Sequence, residues 1–91
     1  MDKTVLTGEL LCDGPEQLAA VVEHLPRHIE LTRAEPGCLS FEVAQTDDPF
    51  VWDVSERFQD AVAFELHQAR VAASEWGCAT AGIKRNYSVT G

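Results

Sequence analysis

Apolar residues along the chain fall into stretches of two different periods, and the alternation of those periods predicts the fold. Residues 3 to 12 (KTVLTGELLC) are bounded by polar residues and apolar at both phases of a period-two pattern, which reads as a strand with both faces buried. Asp13-Gly14-Pro15-Glu16 follows. An acid three residues before a Glu, with Pro in the first turn, predicts a helix start capped by Asp13. Leu18, Val21, Val22, Leu25, Ile29 and Thr32 then recur at helical spacing as one buried stripe. Pro26 lies inside this run and is expected to kink the helix or split it after Leu25. Glu35-Pro36-Gly37 ends the helix, because Pro cannot continue it and Gly accepts the left-handed conformation past its end.

The period then returns to two. Cys38 to Gln45 predicts a strand, Thr46-Asp47-Asp48-Pro49 is turn chemistry, and Val51 to Phe58 predicts the return strand of a hairpin. One face of that return strand carries Trp52, Val54, Glu56 and Phe58; the other carries Val51, Asp53, Ser55 and Arg57. Asp60 is placed to cap a second helical region with an inward stripe of Ala63, Phe64, His67, Arg70, Val71 and Ser74. Gly77 suggests a break over residues 77 to 80. Ile83, Arg85, Tyr87 and Val89 alternate with Lys84, Asn86 and Ser88 and predict a last strand. The order is βαββαβ. It predicts an α+β fold, the ferredoxin-like sandwich, with a four-stranded antiparallel sheet and helices on one face. Residues 1–91 form one domain, without repeat, linker or low-complexity segment. The sheet face left bare, where the first strand offers Val5 and Leu11 behind Leu6 and Leu10, is expected to be covered by a second copy of the chain.

Charge narrows the partners. Fifteen Asp and Glu against seven Lys and Arg give a formal charge of −8, the wrong sign for gripping phosphate backbones, so no nucleic acid is expected. The start, Met1-Asp2-Lys3-Thr4, lacks a charged-then-apolar leader, and no run approaches the roughly 18 apolar residues that a span requires. A soluble cytoplasmic protein without membrane contact is expected. Cys12, Cys38 and Cys78 are an odd number without ligand spacing, which predicts free thiols rather than disulfides or a zinc site. His24 and His28 stand four apart, the spacing of two metal ligands on one helix face. Pro26 lies between them and no third ligand is evident, so they read as surface imidazoles.

Three stretches stand in a familiar order: TRAEPGCLSF (32–41), WDVSERF (52–58) and AFELHQ (63–68). Their EPGC-x-x-F, E-x-F and A-F-x-x-H patterns, with the flanking strands, resemble the antibiotic biosynthesis monooxygenase domain family over nearly the whole chain. The resemblance implies a dimeric α+β barrel. Members include quinol and polyketide monooxygenases that work without metal or flavin, and haem-degrading enzymes. The haem-degrading members carry an Asn on the first strand and a Trp and a His on the later helices. Here the first strand has no Asn, and His67 stands where those enzymes place Trp. The sequence is therefore more similar to the quinol monooxygenase branch, in which an E-x-aromatic strand and a helix His line an apolar pocket between sheet and helices.

That resemblance implies a cofactor-independent monooxygenase oxidising a small hydroquinone or phenolic aromatic substrate with O2. Dioxygen is a triplet and reacts slowly with closed-shell organics, so such an enzyme must first make its substrate electron-rich by removing a proton. His67 is the candidate base, and Glu56, in the same layer, is the candidate carboxylate that fixes its tautomer. Trp52, Phe64 and Tyr87 are candidates for an aromatic slot, and Arg33 and Arg70 for holding a developing oxyanion. Two other readings stay open. One is a non-catalytic barrel that binds a small molecule or serves a stress response, and the other is an isomerase that uses His67 as a proton shuttle.

Overall fold

In a computed structural model that describes residues 3–91, the period-two segments are strands and the helical-period segments are helices. They are β1 (Thr4–Leu11), α1 (Pro15–Arg33), β2 (Cys38–Gln45), β3 (Val51–Phe58), α2 (Ala61–Ala72), α3 (Glu75–Ala79) and β4 (Lys84–Thr90). Met1 and Asp2, on which the reading of the chain's start partly rests, lie outside the described residues. The strands form one antiparallel sheet in the order β2-β3-β1-β4. This is the expected ferredoxin-like α+β arrangement.

The phase of each strand decides what the sheet presents to the helices. Leu6 and Leu10 of β1 and Trp52, Val54, Glu56 and Phe58 of β3 are buried on the helix side. Gly8 sits in the same row, between Tyr87 of β4 and Val54 of β3. It leaves room there: a Cβ would come within 2.1 Å of the Asn86 carbonyl and 2.9 Å of the Tyr87 ring. The opposite face is mixed. Val5, Leu11 and Val51 are half-buried on it, beside exposed Asp53, Arg57, Glu42 and Lys84.

Five local expectations change. The α1 N-cap is Gly14, without a side-chain cap; Gln17 instead reaches back, its Oε1 accepting the Asp13 N–H at 2.7 Å. The helix runs unbroken through Pro26, which lies on its exposed side beside exposed Val22, where the lost Val22 carbonyl bond leaves no buried polar group. Val22 on the same side is exposed, and His28 takes its place in the buried stripe with Val21, Leu25 and Thr32. His28 is therefore no surface imidazole; helical spacing from Val21 and Leu25 turns it inward, whereas His24 is half-buried. Finally, Gly77 lies inside a short helix, α3, rather than in a break. Ser74 starts α3 by accepting the Gly77 N–H at 3.0 Å, which stacks Trp76 into the core with Leu25 and Ile83.

Asp60 caps α2 as expected, accepting the Ala63 N–H at 2.8 Å. Between α1 and β2 the chain turns at Gly37, whose φ of +90° and contact with Ala63, where a Cβ would approach to 2.6 Å, exclude a side chain. The turn consequently sits directly under the start of α2. Cys12, Cys38 and Cys78 are free thiols.

Candidate active site

Two turns of α2 bring one histidine over the middle of the sheet. Ala63 and His67, one helical turn apart, are the buried residues of α2. Below them β3 presents Glu56, flanked in register by Leu6 of β1 and Phe41 of β2. His67 and Glu56 thus share one layer, with side chains 3% and 8% exposed.

The carboxylate that holds the imidazole is a different one. Glu35, in the turn after α1, places Oε1 2.6 Å from His67 Nδ1, while its Oε2 accepts the Arg70 Nε–H at 2.8 Å. Arg70 Nη2 donates in turn to Thr32 Oγ1 at 3.0 Å. A carboxylate only accepts, so the His67 proton resides on Nδ1 and the Nε2 lone pair faces the other way. Glu56 Oε1 stands 3.5 Å from Nε2 and has no hydrogen-bond partner. The imidazole is therefore fixed from one side by Glu35 and approached on the other by an unsatisfied carboxyl oxygen.

Electrostatics follow from burial. Burial, reinforced by the negative charge of Glu35 and opposed by Arg85, pushes Glu56 from 4.5 up to about 7. Burial also lowers His67, against the hydrogen bond and charge of Glu35, which raise it. Burial holds His28 down to about 3, with the nearby charges of His67, Arg70 and Arg85 acting in the same sense. Tyr87 is raised to about 12, mainly by burial.

His67 and Glu56 open onto a cavity of about 270 Å³ between sheet and helices. Leu6, Phe41, Val43 and Val71 give it apolar walls, with Tyr87, Trp76, His28 and Arg85 as its larger aromatic and polar members. The His28 and Trp76 rings stack at 4.5 Å and 5°, and Phe58 packs 4.9 Å from the His67 ring.

Of the candidate catalytic and pocket residues from the sequence, His67, Glu56 and Tyr87 line this cavity, and Trp52, Phe64, Arg33 and Arg70 do not. Trp52 pairs with Leu10 toward the far end of β1 and is core. Phe64 packs edge-on against Phe58 at 5.6 Å. Arg33 donates from Nε and Nη2 to the Phe41 carbonyl, at 3.2 and 2.9 Å, tying α1 to β2. Arg70 donates to Glu35 and Thr32. The sequence reading assigns no site role to Glu35, Trp76 or Arg85, and its spacing argument puts His28 on the surface, whereas His28 is buried against this cavity. Arg85 donates to the Thr80 and Ile83 carbonyls and to Thr80 Oγ1, which fixes the entry to β4.

With this geometry in place, the sequence model of the antibiotic biosynthesis monooxygenase family matches residues 14–77, more than two thirds of the chain. The chain belongs to that family. The matched span holds Glu35, Glu56, His67 and Trp76, whereas Tyr87 and Arg85 lie beyond it. No curated protein matches this family member by sequence. Among solved structures, SnoaB from Streptomyces nogalater, a cofactor-independent oxygenase, superposes with a TM-score of 0.82 at 13% identity, over 100% of this chain and 93% of that one. Rv0793 from Mycobacterium tuberculosis gives 0.77 at 20% identity, over 99% and 94%. PA3566 from Pseudomonas aeruginosa gives 0.72 at 20% identity, over 99% and 91%. At these identities the antibiotic biosynthesis monooxygenase fold is what the structures share. Among the described residues no helix is long and apolar enough to cross a membrane, and no group of three His, Cys, Asp or Glu side chains converges on a metal position.

Proposed function

We propose that the protein is a cofactor-independent monooxygenase that oxidises a small hydroquinone or phenol with O2, working as a homodimer joined through the open sheet face. One observation carries the reading: a buried histidine, anchored at Nδ1 by Glu35, turns its free nitrogen and an unpartnered carboxyl oxygen toward a cavity walled by apolar and aromatic side chains. Membership of the family and the likeness to SnoaB support it.

In this mechanism a substrate hydroxyl gives its proton to His67 Nε2, and Glu35 stabilises the imidazolium as it forms. The resulting phenolate passes one electron to O2, and the radical pair combines at a ring carbon as a hydroperoxide. Protonation of the outer oxygen by the imidazolium or by the Glu56 carboxyl breaks the O–O bond and releases water as the ring carbon loses its hydrogen. One hydroquinone and one O2 give one hydroxyquinone and one water. The substrate supplies all four electrons, so the balance requires no external reductant.

The test is oxygen uptake by the purified protein against a panel of hydroquinones, with the product analysed after turnover in ¹⁸O2. One labelled oxygen in a hydroxyquinone, at one O2 consumed per substrate, is the expected result. Tight binding of the panel without oxygen uptake contradicts the oxygenase and favours a binding protein, and oxygen-independent rearrangement of substrate favours an isomerase.

A further inference from the structure

A second cavity, of about 260 Å³, lies on the helix side of the first. His28 and Trp76 line both cavities, so their stacked rings are the partition between them. Three basic side chains line the outer chamber, His24, Arg27 and Arg70, with one acid, Glu75; outside the lining each base has an acid beside it, Glu23, Glu30 and Glu35 respectively. That concentration stands out in a chain with fifteen acids and seven Lys and Arg. Arg27 is engaged by Glu30 and Arg70 by Glu35 and Thr32, each through part of its guanidinium, which leaves further N–H donors on both. The partition carries its own signal. His28 is 4% exposed, yet its Nδ1 has no hydrogen-bond partner. A buried polar atom left unpaired costs stability unless something else satisfies it. Stacking on Trp76 at 4.5 Å and an edge contact with Phe41 at 5.2 Å hold the ring in place, so it can turn aside without breaking a hydrogen bond at Nδ1.

We propose that the two cavities form one two-part substrate site. The ring to be oxidised occupies the inner chamber against His67, and a carboxylate carried on a short chain occupies the outer chamber against Arg27 and Arg70, the chain passing His28 and supplying its Nδ1 with a partner. The preferred substrate is then a phenol or hydroquinone bearing an acidic tail. A guanidinium takes a carboxylate through paired N–H donors, which explains arginine rather than lysine at this edge. The outer chamber lies among the helices, away from the open sheet face, so a sheet-to-sheet dimer leaves it accessible. This inference rests on the oxygenase reading for what happens in the inner chamber, but binding tests it separately.

The experiment is a calorimetric titration with 4-(4-hydroxyphenyl)butanoic acid and with 4-pentylphenol, which match in ring and chain length and differ in the terminal charge. The acid is expected to bind about tenfold tighter, a preference that Arg27→Gln reduces to threefold or less. Arg27 is exposed and outside the His67 relay, so the variant should fold as the wild type does. In NMR spectra the acid should shift both the His67 ring and the Arg27 Nε–H signals. Equal affinity for the two ligands, a preference untouched by Arg27→Gln, or shifts confined to one chamber would overturn the two-part site. If no hydroquinone is turned over while the preference and its dependence on Arg27 stand, the oxygenase reading fails and the two-part site survives.

Discussion

Glu35 and Glu56 approach one imidazole from opposite sides, and their environments give them different work. Glu35 is tied to Arg70 and to His67 Nδ1, so it orients the ring and raises its basicity. Glu35→Gln keeps the shape but removes the charge; we expect turnover to fall roughly 10- to 100-fold. The pKa of His67 by NMR should drop with it, a shift that a purely structural role for Glu35 would not produce. Glu56 instead titrates near neutrality, and His28 opposes it in the pH dependence of stability. Folding raises Glu56 from 4.5 to about 7, so its contribution is full below 4.5 and lost as pH rises through 7. Folding lowers His28 from 6.5 to about 3, so its contribution is full above 6.5 and lost as pH falls toward 3; His67, also lowered, acts in the same sense. Between pH 4.5 and 6.5 the slopes oppose. Measured against the wild type in denaturant titrations, Glu56→Gln should therefore gain stability from pH 4.5 to 7 and His28→Phe should lose it from pH 4.5 to 6.5. Parallel profiles for the two variants would contradict these assignments. At this scale the sequence showed less than the fold requires. His67 and Glu56 could be placed in one layer from strand phase and helical spacing. Glu35 reads in sequence only as part of a helix stop, because it reaches His67 across 32 residues through a turn whose path no periodicity encodes.

The elements were more legible. β2 and β3 have the predicted bounds, since a hairpin's register is set locally by its turn and its alternation. α3 was not legible as a helix. It has five residues, too few to show a period, and forms because Ser74 caps it and Trp76 anchors it to the core. Local propensity marks Pro26 as a breaker, yet tertiary packing of Val21, Leu25, His28 and Thr32 holds α1 continuous. The helix thus carries a local cost that its packing offsets. Pro26→Ala, on the exposed face, restores the missing N–H donor and should raise stability by about 1 to 3 kcal/mol in denaturant unfolding, without changing catalysis. A loss of stability would mean that Pro26 makes a packing contribution its exposure does not suggest.

For the whole molecule, the helices cover one sheet face and leave the other, where Val5, Leu11 and Val51 lie among charged residues. A chain of 91 residues buries a modest core, and a sheet-to-sheet pair would remove that face from water. Sedimentation at micromolar concentration should give a dimer, and a monomer would contradict it. Each chain carries −8, so the dimer should tighten with salt, because at 0.15 M electrostatic reach shrinks to about 8 Å. The ferredoxin-like order was readable from the alternation of periods; the resemblance implied an apolar pocket between sheet and helices but not its walls, which are set by the stacking of Trp76 on His28 rather than by Trp52 and Phe64. All of this structure converges on the lone pair of His67 Nε2. The most direct measurement is oxygen consumption with a hydroquinone by the wild type and by His67→Ala, in chelator-treated buffer, with folding and dimerisation of the variant checked in parallel. A folded variant should retain only about 10⁻² to 10⁻⁴ of wild-type turnover; a variant that keeps full oxygen-dependent turnover would show that His67 is not the base.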